Sequence, residues 1–192
     1  MSDEIIIPIL IGVGLSAATG FRIFVPFLVL SIFSLFGDVS LSKEFEWIGT
    51  YSALITFGAA TLFEIAGYFI PWIDNLLDTI ATPTSAIAGA VLMAAVMSDI
   101  SPLIKWSLAI IAGGGIAGSI QTTTGVIRAG STATTGGIAN PVISTTEAGL
   151  ALSFSLLAII LPVISLILLF ILGIILFKRF RGKFFKKKSD TS

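Results

Sequence analysis

Asp74 and Asp78 stand four residues apart in DNLLD, just after Pro71, with Asn75 between them and Thr79 and Thr82 following. A four-residue step on a helix returns to the same face, so the two carboxylates would lie side by side. A pair of this kind can hold Mg²⁺ against a lipid diphosphate or bind a cation directly. The motif occurs once; the other acidic pairs are Glu44 with Glu46 and the two acids at the N-terminus. The alternative is a helix start at a membrane surface, with Asp74 capping and both acids near the positive helix end.

Arg22, Glu64, Arg128 and Glu147 lie in or beside apolar stretches. A charge at the bilayer centre costs about 2.5–3.5 kcal/mol on insertion scales. Glutamate can escape that cost by taking a proton, whereas arginine stays charged. Each arginine is therefore expected to pair with Glu64 or Glu147. Such pairs either hold a bundle together or form a substrate or ion site. A third polar region is STATTGG, residues 131–137, followed by Asn140-Pro141. It is too polar and glycine-rich for a lipid-facing helix. Its Thr134 and Thr135 hydroxyls, with Asn140 at the next helix start, could hold a small ion or an anionic head group. The other reading is an external loop with a capped helix after it. The GGG run at 113–115, with Gly118, reads as close helix packing, since it lacks the lysine of a phosphate loop.

The composition states what must position these groups. Of 192 residues, 55% are hydrophobic and 11% charged, with 11 basic and 11 acidic side chains. Soluble domains carry about 25% charged residues, so this chain cannot clothe itself in water. A soluble enzyme and a nucleic-acid binder are both excluded. Cysteine and histidine are absent, which removes disulfides, thiolate metal sites, Ser-His hydrolysis and the commonest proton shuttle. No cofactor is expected.

The elements follow from a span length of about 20 apolar residues. The apolar run at 5–36 is too long for one span, and SAATG at 16–20 marks it as a broken helix or two helices meeting near Gly20. Residues 37–46 are a polar loop, and 47–70 the next span, with Trp47 and Tyr51 as interfacial anchors. Residues 71–79 interrupt it. Pro83 suits the first turn of a helix running to about Met97. Another interrupted stretch runs from Leu103 to Arg128, and Pro162 kinks or splits the last apolar run. The fold expected is an all-α transmembrane bundle of about six membrane segments, broken or re-entrant helices among them. Residues 1–177 form the membrane domain and 178–192 a basic tail. That tail begins KRFRGKFFKKK, with seven of the 11 basic residues, which predicts a cytoplasmic C-terminus. The acids Asp3 and Glu4 ahead of the first apolar run argue against a cleaved signal peptide. AATGFR resembles TTTGVIR, and FEIAG resembles TEAG, which reads either as an internal duplication with its site at the repeat interface or as a chance match of short motifs.

The segments GLSAATGFRIFVPFL, EIAGYFIPWIDNLLDTIATP, WSLAIIAGGGIAG and STATTGGIANP occur in that order. Together they resemble the bacterial integral membrane family catalogued as domain of unknown function 4126. The resemblance implies a multi-helix protein of the bacterial envelope and brings no established activity. The function expected is a transporter or channel for an ion or a small solute, anionic solutes included. The alternatives are a membrane-embedded lipid head-group binding protein or enzyme using Asp74 and Asp78, and a structural scaffold. The partners expected are membrane lipids and the solute or ion. The small-residue faces also leave a homo-oligomer open.

Overall fold

The first long apolar stretch breaks where its small polar run predicts. Helix α1 (Ser2–Thr19) stops, residues 20–23 turn, and α2 (Phe24–Leu35) sets off anew. The computed structural model describes residues 2–98 and 100–189; the side chains of residues 2–4, 71, 72, 75, 176, 177 and 179–189 lie outside the described set. After α2 come a 3₁₀ turn (Lys43–Gly49), α3 (Tyr51–Gly67), α4 (Pro71–Val96) and α5 (Pro102–Leu108). Helix α5 passes through a π-helical turn (Ala109–Gly114) into α6 (Gly115–Thr135), and α7 (Asn140–Ile160) and α8 (Pro162–Ser189) complete the chain. No strand occurs among the described residues.

Among the described residues, three helical segments are long and apolar enough to cross a membrane: Leu76–Val96, Pro102–Thr135 and Asn140–Ile160. A fourth forms if the 3₁₀ turn and α3, bent by 68° at their junction, count as one span. The apolar segments Ile5–Thr19, Phe24–Leu35 and Pro162–Ile175 are shorter. Against the expected six segments, the described residues give three or four candidate spans by length and composition, and three shorter apolar helices. Polarity runs outward to inward in the sense opposite to a soluble protein. Phe63 is 79% exposed while its neighbour Glu64 is 8% exposed.

Three local expectations change. Pro83 does not open a helix; it lies inside α4, which begins at Pro71. Prolines are tolerated within membrane helices where neighbouring groups satisfy the freed backbone. STATT is not a loop. It is the last turn of α6, closed by Gly136 in the left-handed conformation (φ 65°), where a glycine fits without steric cost. The matched motifs of the two halves also fold differently: Arg22 stands in a break between helices, Arg128 within one continuous helix.

Packing around the broken segment depends on small residues. Helix α1 lies against α4 and α7, and α4 against the π turn and α6. The Ser16 hydroxyl donates to the Gly89 carbonyl at 2.8 Å. A Cβ on Gly89 would stand 2.8 Å from the Gly113 carbonyl oxygen and 2.5 Å from the Ala117 Cβ, and one on Gly113 would stand 2.8 Å from the Gly89 carbonyl oxygen. The glycine triplet therefore brings backbone onto backbone, as the packing reading expects. At one end Lys105, only 4% exposed, donates to Glu44 at 3.0 Å and ties α5 to the 3₁₀ turn.

Gly89→Ala should destabilise the bundle by about 1–3 kcal/mol, the usual cost of overpacking. Gly115→Ala, where an added Cβ meets nothing within 4 Å, should leave stability unchanged or raise it by up to about 1 kcal/mol through helix propensity. Thermal unfolding of the detergent-solubilised variants checks both.

Candidate functional site

Five elements bring their charged residues to one buried point. On α7, Asn140, Ser144 and Glu147 follow the i, i+4, i+7 spacing of a single face, and all three are buried. On α6, Gln121, Thr124 and Arg128, at i, i+3 and i+7, likewise share one buried face. The start of α4 supplies Asp74, the break between α1 and α2 supplies Arg22, and the end of α3 supplies Tyr68. Arg22 and Arg128 are 1% and 2% exposed, Asp74 2% and Glu147 4%.

Arg128 is the most heavily used donor. Its Nε donates to Glu147 Oε1 at 3.1 Å and one terminal nitrogen to Glu147 Oε2. The other terminal nitrogen donates to Asp74 Oδ1 at 2.6 Å and lies 3.8 Å from Asp78 Oδ1. The planar guanidinium fork grips a carboxylate with two parallel bonds, and a second carboxylate takes the donor left over. Arg22 approaches from the other side. It donates to the Ser144 carbonyl at 3.0 Å and to the Ser144 hydroxyl, and lies 3.2 Å from Glu147 Oε2. Glu147 therefore bridges both arginines. Both guanidinium carbons also stand over the Tyr68 ring, 3.8 and 4.0 Å from its centroid, within cation–π range. Asp74 is completed by Asn140, whose amide nitrogen donates to Asp74 Oδ2 at 2.8 Å and to the Thr132 hydroxyl at 3.0 Å.

Glu64 is buried as expected but is not the partner of an arginine fork. Its two oxygens accept the backbone N–H groups of Ile23 and Phe24, at 2.7 and 3.0 Å. Those are orphan donors at the start of α2, which has no side-chain cap of its own. A carboxylate supplied by α3 thus neutralises the positive end of the broken helix. Each arginine does meet one of the two expected glutamates, and it is the same one: Glu147 serves both arginines, while Glu64 serves backbone.

The remaining expected site residues divide. Asp74 does not cap α4; both of its oxygens are taken by side chains, so Asp74 and Asp78 are not a free carboxylate pair. Asp78 lines a cavity of about 580 Å³ between α4 and α6 with Thr82, Thr122 and Thr132. Thr134 and Thr135 are exposed and donate to the Gly130 and Ser131 carbonyls of their own helix, so the fold does not bring them to the cluster. Asn140 does not cap α7 but turns to Asp74. The side chain of Asn75 lies outside the described residues. A second cavity, of about 560 Å³, opens between α6, α7 and α8; it is walled by apolar side chains such as Ile120, Leu150 and Leu169 and reaches Glu147.

Tyr68, Ser144 and Thr132 are cluster members that sequence reasoning missed. Ser144 and Tyr68 had a signal: Ser144 falls on the Asn140–Glu147 face, and Tyr68 stands four residues after Glu64. Three polar atoms of the cluster, Arg22 Nε, Asp78 Oδ1 and Asn140 Oδ1, are buried with no hydrogen-bond partner among the described residues.

Two double-mutant cycles separate these roles. Arg128→Ala with Glu147→Ala should show coupling of about 1–3 kcal/mol, and each single variant should lose about 3–5 kcal/mol, the cost of leaving a buried charge unpaired. Arg22→Ala with Glu64→Ala should be nearly additive. Glu64→Gln should cost about 1–3 kcal/mol, because an NH₂ then faces a backbone donor. Equilibrium unfolding in detergent gives all of these values.

The comparisons place the chain without assigning it an activity. No curated protein and no solved structure matches it. Residues 9–181 match the family described as a domain of unknown function, DUF4126, and that nearly complete length takes in Arg22, Asp74, Arg128 and Glu147; the chain belongs to this family.

Proposed function

We propose that the protein is a small membrane transporter, carrying an ion or a small solute across the bacterial cytoplasmic membrane with the arginine–carboxylate cluster at the centre of its path. One observation carries this reading. Two separate cavities end on carboxylates facing the same guanidinium: the α4–α6 cavity at Asp78, the α6–α8 cavity at Glu147. A charge cluster that served only to hold helices together would need no access. Broken helices are also the usual frame of transporter sites, and Arg22 occupies such a break. The lipid head-group enzyme reading loses support, since Asp74 is committed to Arg128 and Asn140 and does not stand free beside Asp78. A motion that frees either carboxylate from Arg128 would open one cavity toward the cluster while the other remains sealed by the second ion contact.

The test is flux through purified protein in sealed liposomes, screened with monovalent ions and small charged and neutral solutes. Arg128→Lys keeps the charge but cannot donate to Glu147 and Asp74 together; it should lower flux by at least about tenfold, equivalent to about 1.4 kcal/mol in the barrier. Liposomes that remain tight to every probe would refute transport. In the same topology the basic stretch from Lys178 faces the cytoplasm. A C-terminal fluorescent-protein fusion should therefore glow in cells, and a C-terminal alkaline phosphatase fusion should be inactive.

A further inference from the structure

Asp78 is the acid of the cluster that Arg128 does not satisfy. The guanidinium spends its close contacts on Glu147 and Asp74 and leaves Asp78 at 3.8 Å, beyond hydrogen-bond range. Asp78 Oδ1 is buried without a hydrogen-bond partner among the described residues, and so is Oδ1 of Asn140, a side chain only 6% exposed that donates to the cavity-wall residue Thr132. Both of these orphans are acceptors. The orphan donor, Arg22 Nε, belongs to the α1–α2 break and not to this cavity's wall. Formal charge agrees: Arg22 and Arg128 stand against Glu64, Asp74, Asp78 and Glu147.

The cavity beside Asp78 is built to meet such a deficit. Asp78 and Thr82 lie one turn apart on α4, and Thr122 and Thr132 face them from α6. The Thr122 hydroxyl proton is already given to the Gly118 carbonyl, which leaves its oxygen lone pairs for a cation, and Thr132, which accepts one bond from Asn140, keeps its second lone pair. At about 580 Å³ the space holds an ion with several waters, at about 30 Å³ each. Hydroxyl oxygens and a single carboxylate suit one positive charge; Ca²⁺ takes about 6–8 oxygens, several of them from carboxylates. Asp74, the nearest second carboxylate, is occupied. An anion would meet the Asp78 carboxylate, and no arginine or lysine lines the cavity.

The geometry points to a monovalent cation, an alkali-metal or ammonium ion, as the ligand of the α4–α6 cavity, with Asp78 as its counter-charge and the Thr82, Thr122 and Thr132 hydroxyls as neutral oxygen donors. This inference rests on the transport reading only in making that ion the cargo; the site itself is tested by binding. Thermal unfolding of the detergent-purified full chain is compared in sodium, potassium, ammonium and N-methylglucamine chloride at equal ionic strength near neutral pH. A bound ion stabilises the folded state in a saturable way. At least one small cation should raise the midpoint above that in N-methylglucamine, which is too large for the site, and the three arms distinguish sodium, potassium and ammonium. Asp78→Asn should abolish the shift, and Thr82→Val, which leaves the arginine contacts intact, should weaken the apparent affinity severalfold. Equal midpoints in all four salts would overturn the site, as would a shift that persists unchanged in both variants. If Asp78→Asn does not fold, the wild-type series and Thr82→Val decide. Cation-dependent stabilisation with no flux of any solute would keep this site and refute transport, whereas flux with no cation effect on unfolding would do the reverse.

Discussion

Arg128 stays charged in any environment a protein can offer, and α6 carries it to a position 2% exposed to solvent. Burying such a charge costs several kcal/mol per ion even after relaxation, so the rest of the bundle has to be arranged to compensate it. Glu147 must come from α7 to fill the guanidinium fork, Asp74 must come from the first turn of α4, and Asn140 must hold Asp74 in place. Each requirement fixes the rotation of a helix about its axis. A quarter-turn of α7 would withdraw Asn140, Ser144 and Glu147 together, since they share one face. The ionic cluster thus sets the register in which α4, α6 and α7 pack, and Tyr68 presents its ring to both guanidiniums as an apolar surface that still attracts positive charge.

The break between α1 and α2 serves the same end. It lets Arg22 leave the helix and reach Ser144 and Glu147, but it also exposes backbone donors at the start of α2. Water could satisfy them in a soluble protein; within an apolar bundle another element has to. Glu64 does so from α3. The two buried glutamates, similar in sequence setting, therefore perform different work: one neutralises side chains, the other a helix end. The small residues opposite the break make it sterically possible. A Cβ on Gly20 would lie 2.8 Å from the Ala117 carbonyl oxygen, so α1 can end directly against α6.

A cluster this well paired has little reason to be reachable, yet cavities meet it at Asp78 and at Glu147. Hydroxyl side chains stand in both walls, Thr82, Thr122 and Thr132 in the first and Thr123, Thr124 and Thr146 in the second. Asp78, alone among the carboxylates of the cluster, keeps part of its side chain exposed, at 23%.

Composition alone pointed to a membrane protein, because 11% charged residues cannot clothe a soluble surface, and its long apolar runs, unlike the ten-residue alternating strands of a barrel, pointed to helices. The break near Gly20, the split at Pro162 and the close packing at the glycine triplet were legible too, since each depends on local residue chemistry. That Arg22 and Arg128 need carboxylates was legible from the permanence of their charge. That Glu147 would be a partner was legible too; that it would serve both arginines, with Asp74 as the second partner of Arg128, was not. Asp74 is 54 residues from Arg128, and Glu147 is 125 from Arg22; such separations are closed only by helix packing, and sequence resemblance between Glu64 and Glu147 pointed to equal roles they do not have. Local signals also misled where tertiary contacts prevailed. Pro83 sits inside a helix because α4 packs along its whole length, and STATT is helical because α6 continues to a glycine that can turn left-handed. Tertiary structure alone decided that Asp78 would be left over beside the α4–α6 cavity, because the packing that seats the guanidinium on Glu147 and Asp74 holds it 3.8 Å from Asp78.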